Sequence, residues 1–146
     1  MRAANPWKSY RQIATQTAPP GQLVLMLFDG ALNSLERALL GFDYTDIGQR
    51  NVTIHNNIRR AVDIIRELNS ALDLEAGGQL AETLRNLYSY FERQLNQSNL
   101  KKSRRGIDEV LPMLRQLRDA WYQMLNGTNP LATPVGNWPV SQLAAA

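Results

Sequence analysis

The sequence predicts an all-α protein, an antiparallel up-down-up-down four-helix bundle preceded by a short N-terminal helical cap segment. Four segments, each of about 20 residues, carry apolar residues at three- and four-residue spacing, the periodicity of helices with one buried face. The connections between these segments are only about five residues long, and short connections between long helices favour antiparallel neighbours. Together the two observations predict that each helix packs against the next one along the chain.

The first predicted helix begins between Thr17 and Pro20 and ends at Gly41. Thr17 is a suitable N-cap, and proline is tolerated in a first turn, where its missing N–H is not needed. The apolar residues of this helix cover an arc of about 200°, whereas a surface helix needs an arc only slightly wider than about 100°. The series that runs from Val24 to Ala38 lies near the centre of this arc and is predicted to fill the core.

The surplus of apolar surface on the first helix indicates a second role for it. Leu25, Leu32 and Leu39 recur every seven residues on one flank, and Leu23 and Leu27 lie on the other. An exposed flank would form an apolar patch of several hundred Å², a size typical of binding surfaces. The alternative is that both flanks face neighbouring helices inside the bundle, and the pattern alone leaves it open.

The second and third predicted helices have clear apolar faces. Alternating four- and three-residue spacing from Ile54 to Leu72 makes an unbroken a/d seam in the second helix. The third is predicted to begin at the pair Gly77-Gly78, which marks a tight turn, and Tyr88 lies at one edge of its face. The residues of that face are Leu80, Leu84, Leu87, Phe91 and Leu95.

The fourth predicted helix is lined on one side by apolar residues from Ile107 to Leu125. Pro112 falls within it, and a proline inside a helix removes one hydrogen bond and clashes with the carbonyl four residues before it. We therefore expect either a kink near Pro112 or a regular helix that starts around Leu111.

Two segments lie outside the predicted bundle, which spans residues 17–126. The head, residues 1–16, carries Trp7, Tyr10 and Ile13 at three-residue spacing, so these side chains are predicted to share one face of a short N-terminal cap helix. The tail, residues 127–146, is rich in proline and glycine and is predicted to be extended and flexible.

Composition excludes several classes of function. The chain of 146 residues has no cysteine and one histidine, which leaves no disulfide, no cysteine zinc site and no catalytic set that needs a cysteine. His55 lies among asparagines and is predicted to be solvated, so we expect no metal, no cofactor and no enzymatic activity. No apolar run is long enough to enter a membrane, and no secretion signal is recognised, so a cytoplasmic location is expected.

Nucleic-acid binding is also disfavoured. The net charge is only +3, and the basic run "KKSRR" at residues 101–105 has no aromatic residues between its charges. Lysines at this position complement the negative end of the helix before them, which is a structural role. We therefore expect a protein partner and no nucleic acid.

Several motifs carry a family likeness. The run "TAPPGQLVLMLFDGA" at residues 17–31 resembles the opening of the first bundle helix of the bacterial flagellar secretion chaperone FliS family, with Pro19 in place of the usual serine. "RAVDIIRELNSALD" and "GGQLAETLRNLYSYFERQL" resemble its second and third helices, and "LRQLRDAW" resembles its closing helix. Tyr10 also matches, while Ala14-Thr15 departs from the family's Gln-Val. The likeness extends from residue 10 to about residue 122 and follows the family's motif order.

The resemblance implies a cytoplasmic, non-enzymatic export chaperone. Its partner would be flagellin, whose C-terminal helical segment binds in hydrophobic grooves, is kept from premature polymerisation and is delivered to the flagellar export gate. An anti-sigma factor or a co-chaperone is left open as a further partner, and homodimerisation through the apolar flank of the first helix is the alternative function. The resemblance also makes the N-terminal cap, with Trp7, Tyr10 and Ile13, a lid that the client displaces. The residues expected to bind the client are Leu25, Phe28, Leu32, Leu39 and Tyr88.

Overall fold

The computed structural model of the protein describes residues 20–127, which form four α-helices and no β-strand within that range. They are α1 (Pro20–Gly41), α2 (Ile47–Ser70), α3 (Leu74–Lys101) and α4 (Arg105–Leu125). The predicted cap at Thr17, the helical head and the flexible tail beyond Gly127 lie outside the described residues. The all-α four-helix prediction is confirmed.

The four helices form a closed square. Helix α1 contacts α2 and α4, and α3 also contacts α2 and α4, so α1 lies diagonally opposite α3. Between α1 and α4, Arg115 pairs with Glu36 at 2.7 Å, and further along α4 the indole of Trp121 donates to the carbonyl oxygen of Gly21 at 2.9 Å. Residue numbers rise along α4 as they fall along α1, so these two helices are antiparallel.

Helices α2 and α3 are antiparallel by the same criterion. Arg66 donates two hydrogen bonds to the Glu92 carboxylate, at 2.9 and 2.7 Å, and His55 Nδ1 lies 3.0 Å from the amide nitrogen of Asn99. All these contacts are at the surface, where an ion pair contributes at most about 1 kcal/mol. Their role is to set register, because the buried seams supply most of the stabilisation.

The ends of the helices are set by local capping. Gly41 ends α1, as predicted, and Asp46 is the N-cap of α2, where its carboxylate accepts a hydrogen bond from the N–H of Gly48 at 3.3 Å. Lys102 ends α3 in the left-handed conformation, with φ 51°. The Nζ of Lys102 also donates a hydrogen bond to the carbonyl oxygen of Asn99, which satisfies one of the terminal carbonyl groups of the helix.

Helix α3 begins earlier than predicted. Asp73 is its N-cap and accepts hydrogen bonds from the N–H groups of Glu75 and Ala76, both at 3.1 Å, so one turn forms ahead of the Gly77-Gly78 pair. Gly78 has φ 54° and ψ −133°, a conformation that side chains other than glycine rarely adopt, and it kinks the helix. The predicted interruption at this pair is therefore present, at Gly78, but it follows a first helical turn, and the connection after α2 is already formed by residues 71–73.

Helix α4 runs without interruption from Arg105 through Pro112 to Leu125. The helix therefore neither starts late, around Leu111, nor is interrupted at Pro112. Pro112 and Asp108 are both exposed, so the carbonyl that loses its helical partner faces water. Solvent can then satisfy the group that would be costly to leave unpaired in the core.

The core lies along the middle of the bundle, and all four predicted seams contribute to it. One close approach fixes α3 against α4: Gly106 N–H donates to Ser98 Oγ at 2.8 Å, and a side chain at residue 106 would collide with the backbone of Gln94. The largest fully buried side chains are Leu35, Ile54, Ile58, Val62, Ile64, Ile65, Leu87, Phe91, Leu95, Ile107, Val110 and Leu114.

Candidate functional site

An apolar pocket of about 160 Å³ opens at one end of the bundle, where α1 and α3 begin and α2 and α4 end. Its wall consists of aliphatic and aromatic side chains from all four helices and from the connection after α2. They are Val24 and Phe28, then Leu68, Ala71 and Leu72, then Leu80, Leu84 and Tyr88, and finally Leu117, Ala120, Trp121 and Met124.

The pocket exists because the apolar seam of α3 extends beyond the core that covers it. Phe91 and Leu95 in the middle of α3 are completely buried, Leu87 is 1% exposed, and Leu84 is half-buried. Leu80, one turn nearer the start of the helix, is 46% exposed. Exposure therefore rises steadily towards the Gly78 kink, so the last part of the seam presents apolar surface that no other described residue covers.

Trp121 joins the pocket to the start of α1. Its ring forms part of the wall, and its indole N–H donates to the Gly21 carbonyl oxygen at 2.9 Å. The two helices approach so closely here that a Cβ on residue 21 would lie 2.6 Å from Leu125 Cδ2. Glycine at this position therefore permits the contact, and the polar atom of the tryptophan is satisfied within the bundle.

Tyr88 is the second residue of the wall with a polar side-chain atom. It is 4% exposed, and its ring lies against that of Phe91 with centroids 6.4 Å apart. Burial raises the pKa of its hydroxyl above the ordinary tyrosine value, because a tyrosinate would be poorly solvated there. The hydroxyl makes no hydrogen bond with residues 20–127, so the pocket contains one buried polar group without a partner.

The structure brings together only part of the predicted client-binding set. Phe28 and Tyr88 both line the pocket. Leu25 is 7% and Leu32 is 8% exposed, and Leu39 packs against the core. The expectation of an exposed leucine flank is therefore wrong for Leu25 and Leu32, because both side chains are buried and Leu32 belongs to the core. Client binding by these residues stays a prediction, while the cap residues of the head lie outside the described range.

Sequence reasoning missed most of the pocket wall. It assigned Leu80, Leu84 and Trp121 to the core faces of their helices and gave no role to Ala120 or Met124. Periodicity shows which face of a helix is apolar, but not where along its length the neighbouring helices stop covering it. The one local signal was the Gly77-Gly78 pair next to Leu80, where a regular helix, and with it regular packing, is interrupted.

Neither a metal site nor a membrane-spanning helix is found in residues 20–127. No group of three or more His, Cys, Asp or Glu side chains there is placed to hold a metal ion. No helix in the same range is long and apolar enough to cross a membrane. The apolar pocket is a feature of the described residues that is suited to binding a partner.

Comparisons with known proteins agree with the fold and the motifs. The family model for flagellar protein FliS matches residues 3–128. The flagellar secretion chaperone FliS of Salmonella typhimurium is 37% identical over 129 residues, which is 85% of this chain and 93% of that protein. Proteins of the same name from Escherichia coli and Bacillus subtilis are 35% and 33% identical, over 92% and 86% of this chain and 100% and 90% of their own lengths. A family match of this extent, on a four-helix bundle with the expected motif order, shows that the chain belongs to the FliS family.

Proposed function

We propose that the protein is a flagellar secretion chaperone that binds the C-terminal helical segment of flagellin in the bacterial cytoplasm. It keeps this segment from polymerising before export and delivers it to the flagellar export apparatus. The observation that carries the proposal is the open apolar pocket in a member of a family whose relatives are named secretion chaperones. A chaperone of this kind needs a binding surface and no catalytic group.

The pocket suits recognition of an amphipathic helix. Its volume of about 160 Å³ is close to that of an engineered apolar cavity of about 150 Å³ that binds benzene, so it can take one large apolar side chain. Leu80 and Met124, two residues of its wall, are 46% and 39% exposed and add accessible apolar surface to the site. A helix that inserts one anchor residue and lays its apolar face over this surface follows the helix-in-groove mode.

Affinity must offset the entropy lost when a disordered client segment becomes ordered. Apolar burial contributes about 25 cal/mol for each Å² removed from water, so a long contact is needed. We propose that the client also contacts the surface around α1, as predicted for Leu39. An anti-sigma factor or co-chaperone stays a predicted further partner, with no support from the described residues.

The N-terminal cap completes the proposal. Residue 20 begins α1, and Gly21 is held against Trp121 in the pocket wall, so the segment that precedes α1 joins the bundle at the edge of the pocket. This position supports a lid function for Trp7, Tyr10 and Ile13. A lid lowers the apparent affinity for the client in proportion to the time that the site is closed.

Binding of the flagellin C-terminal segment tests the main proposal. The full chain should bind a synthetic peptide of this segment with a measurable heat in titration calorimetry, and should not bind a peptide from the N-terminal end of flagellin. The complex should elute as a single species in size-exclusion chromatography. Equal binding of both peptides, or of neither, would contradict the proposed function.

Fluorescence tests the lid. Trp121 and Trp138 are first replaced by phenylalanine and the variant is checked for folding, which leaves Trp7 as the reporter. Displacement by the client should move Trp7 towards water and shift its emission to the red. Deletion of residues 1–13 should leave client affinity equal or higher if the lid only blocks the site. Emission that stays constant at saturating client would refute displacement.

The predicted alternative is homodimerisation through the leucine flank of α1. The structure gives it little support, because part of this flank is buried. Leu25 and Leu32 are each less than 10% exposed, so a second copy would find little of either to contact. Specific interfaces bury about 800 Å² on each partner, and two buried leucines add little to such an area. A stable dimer of the purified chain, measured by light scattering without client, would nevertheless revive this alternative.

A further inference from the structure

Two side chains in the wall of the apolar pocket, Trp121 and Tyr88, carry a nitrogen or oxygen atom, and they differ in whether that atom is hydrogen-bonded. The indole N–H of Trp121 is satisfied by the carbonyl oxygen of Gly21 at 2.9 Å. The hydroxyl of Tyr88 makes no hydrogen bond with the residues that the structure describes, although this tyrosine is only 4% exposed. A buried hydroxyl is normally paired, so an unpaired one in a binding pocket requires an explanation.

Tyr88 lines the apolar pocket, and its hydroxyl is not completely buried. Among residues 20–127, the fully buried side-chain N and O atoms without a partner are Arg50 Nε and Asn69 Oδ1. The Tyr88 hydroxyl is not one of them, so it retains a small accessible surface. Because Tyr88 lines the apolar pocket, we infer that this retained surface faces the pocket and offers a free O–H donor to a group bound there.

The geometry points to Tyr88 as a specificity-determining residue, whose hydroxyl donates a hydrogen bond to a neutral side-chain oxygen of the bound client helix. This inference rests on the proposed function and adds a requirement on the client sequence. An amide or hydroxyl residue, Asn, Gln, Ser or Thr, must lie beside the large apolar side chain that fills the pocket.

Chemistry limits the acceptor to this class. Carbonyl groups inside the client helix already accept one main-chain hydrogen bond each, so a side chain that projects into the pocket is the better source of the oxygen. A carboxylate would have to lose its hydration among aliphatic and aromatic walls, at a large cost in free energy. A neutral amide or hydroxyl loses less on transfer and recovers it by pairing with Tyr88.

The consequence is a defined register for the client. An amphipathic helix can slide along an apolar groove by one turn and replace one large apolar anchor with another at little cost. A single polar contact removes this freedom, as a buried polar residue does in a coiled coil, because every other register leaves both polar groups unpaired. Tyr88 would thus select one anchor of the client among several similar ones.

Tyr88→Phe tests the inference with little change in shape. The affinity for the flagellin C-terminal peptide should fall about tenfold, the usual effect of one neutral hydrogen bond. The melting temperature should stay equal or rise, since the removed hydroxyl has no partner in the bundle. Tyr90→Phe is the matched control: Tyr90 lies on the same helix, is half-buried and does not line the pocket, so its variant should bind like the wild type.

A double-mutant cycle identifies the acceptor. Each Asn, Gln, Ser and Thr of the peptide is replaced by alanine in turn, and each peptide is titrated into wild type and Tyr88→Phe. One replacement should weaken binding about tenfold to wild type and leave binding to Tyr88→Phe unchanged. Equal affinity of Tyr88→Phe and wild type, or the absence of any coupled residue, overturns this inference alone. A wild-type chain that binds no peptide overturns the proposed function as well.

Discussion

A substitution that places a larger side chain on the pocket wall tests the proposed binding site most directly. Ala120 is half-buried on α4 and lines the pocket between Leu117 and Trp121. Ala120→Leu would add three carbon atoms in a space of about 160 Å³, and the new side chain would occupy the place proposed for the client's anchor residue.

Two opposite effects can be estimated for this variant. Each newly buried methylene stabilises the fold by about 0.8 kcal/mol, so the free energy of unfolding should rise by up to about 2 kcal/mol. The client loses a site that would bury one large apolar side chain, worth about 1.5–3 kcal/mol. Since each 1.4 kcal/mol is about tenfold in affinity, binding should weaken by about ten- to a hundredfold.

Calorimetric titration with the flagellin peptide, together with thermal denaturation, measures both effects. Gln116→Leu is the matched control, because Gln116 is exposed on the same helix and does not line the pocket. It should bind the peptide like the wild type. Wild-type affinity in a folded Ala120→Leu variant would refute the assignment of the pocket as the anchor site. Strong destabilisation of that variant would contradict the volume assigned to the pocket.

Leu87→Ala and Ile65→Ala should each lower the free energy of unfolding by about 2–5 kcal/mol in chemical denaturation, because each leaves a cavity in the core. Leu32→Gln should lower the melting temperature markedly, since this leucine is 8% exposed; a wild-type melting temperature would contradict its burial. Gly106→Ala should destabilise by about 1–3 kcal/mol, because its Cβ would push α3 away from α4. Burial raises the pKa of Tyr88, so the unfolded chain loses its proton first and stability should fall as pH rises above about 10. Tyr88→Phe should make that fall shallower.

Local patterns predicted much of the fold because they act within a few residues. The a/d seam of α2 and the end of α1 at Gly41 depend on spacing and on neighbouring backbone groups, which the sequence shows directly. The start of α3 was missed because Asp73 caps an extra turn that the glycine pair was taken to exclude. Pro112 was overestimated because its disruptive effect depends on whether solvent reaches the freed carbonyl.

The sequence by itself determined the fold class, the four apolar faces, the family and the choice of Phe28 and Tyr88, which both line the pocket. Only the tertiary structure decided which apolar residues remain accessible. It buried Leu25 and Leu32 and left Leu80 exposed where the bundle ends. The physical reason is that helical periodicity specifies the direction of a side chain around its own axis, whereas exposure depends on where the other helices begin, end and kink. The pocket is a property of four helix ends meeting, and no single helix contains it.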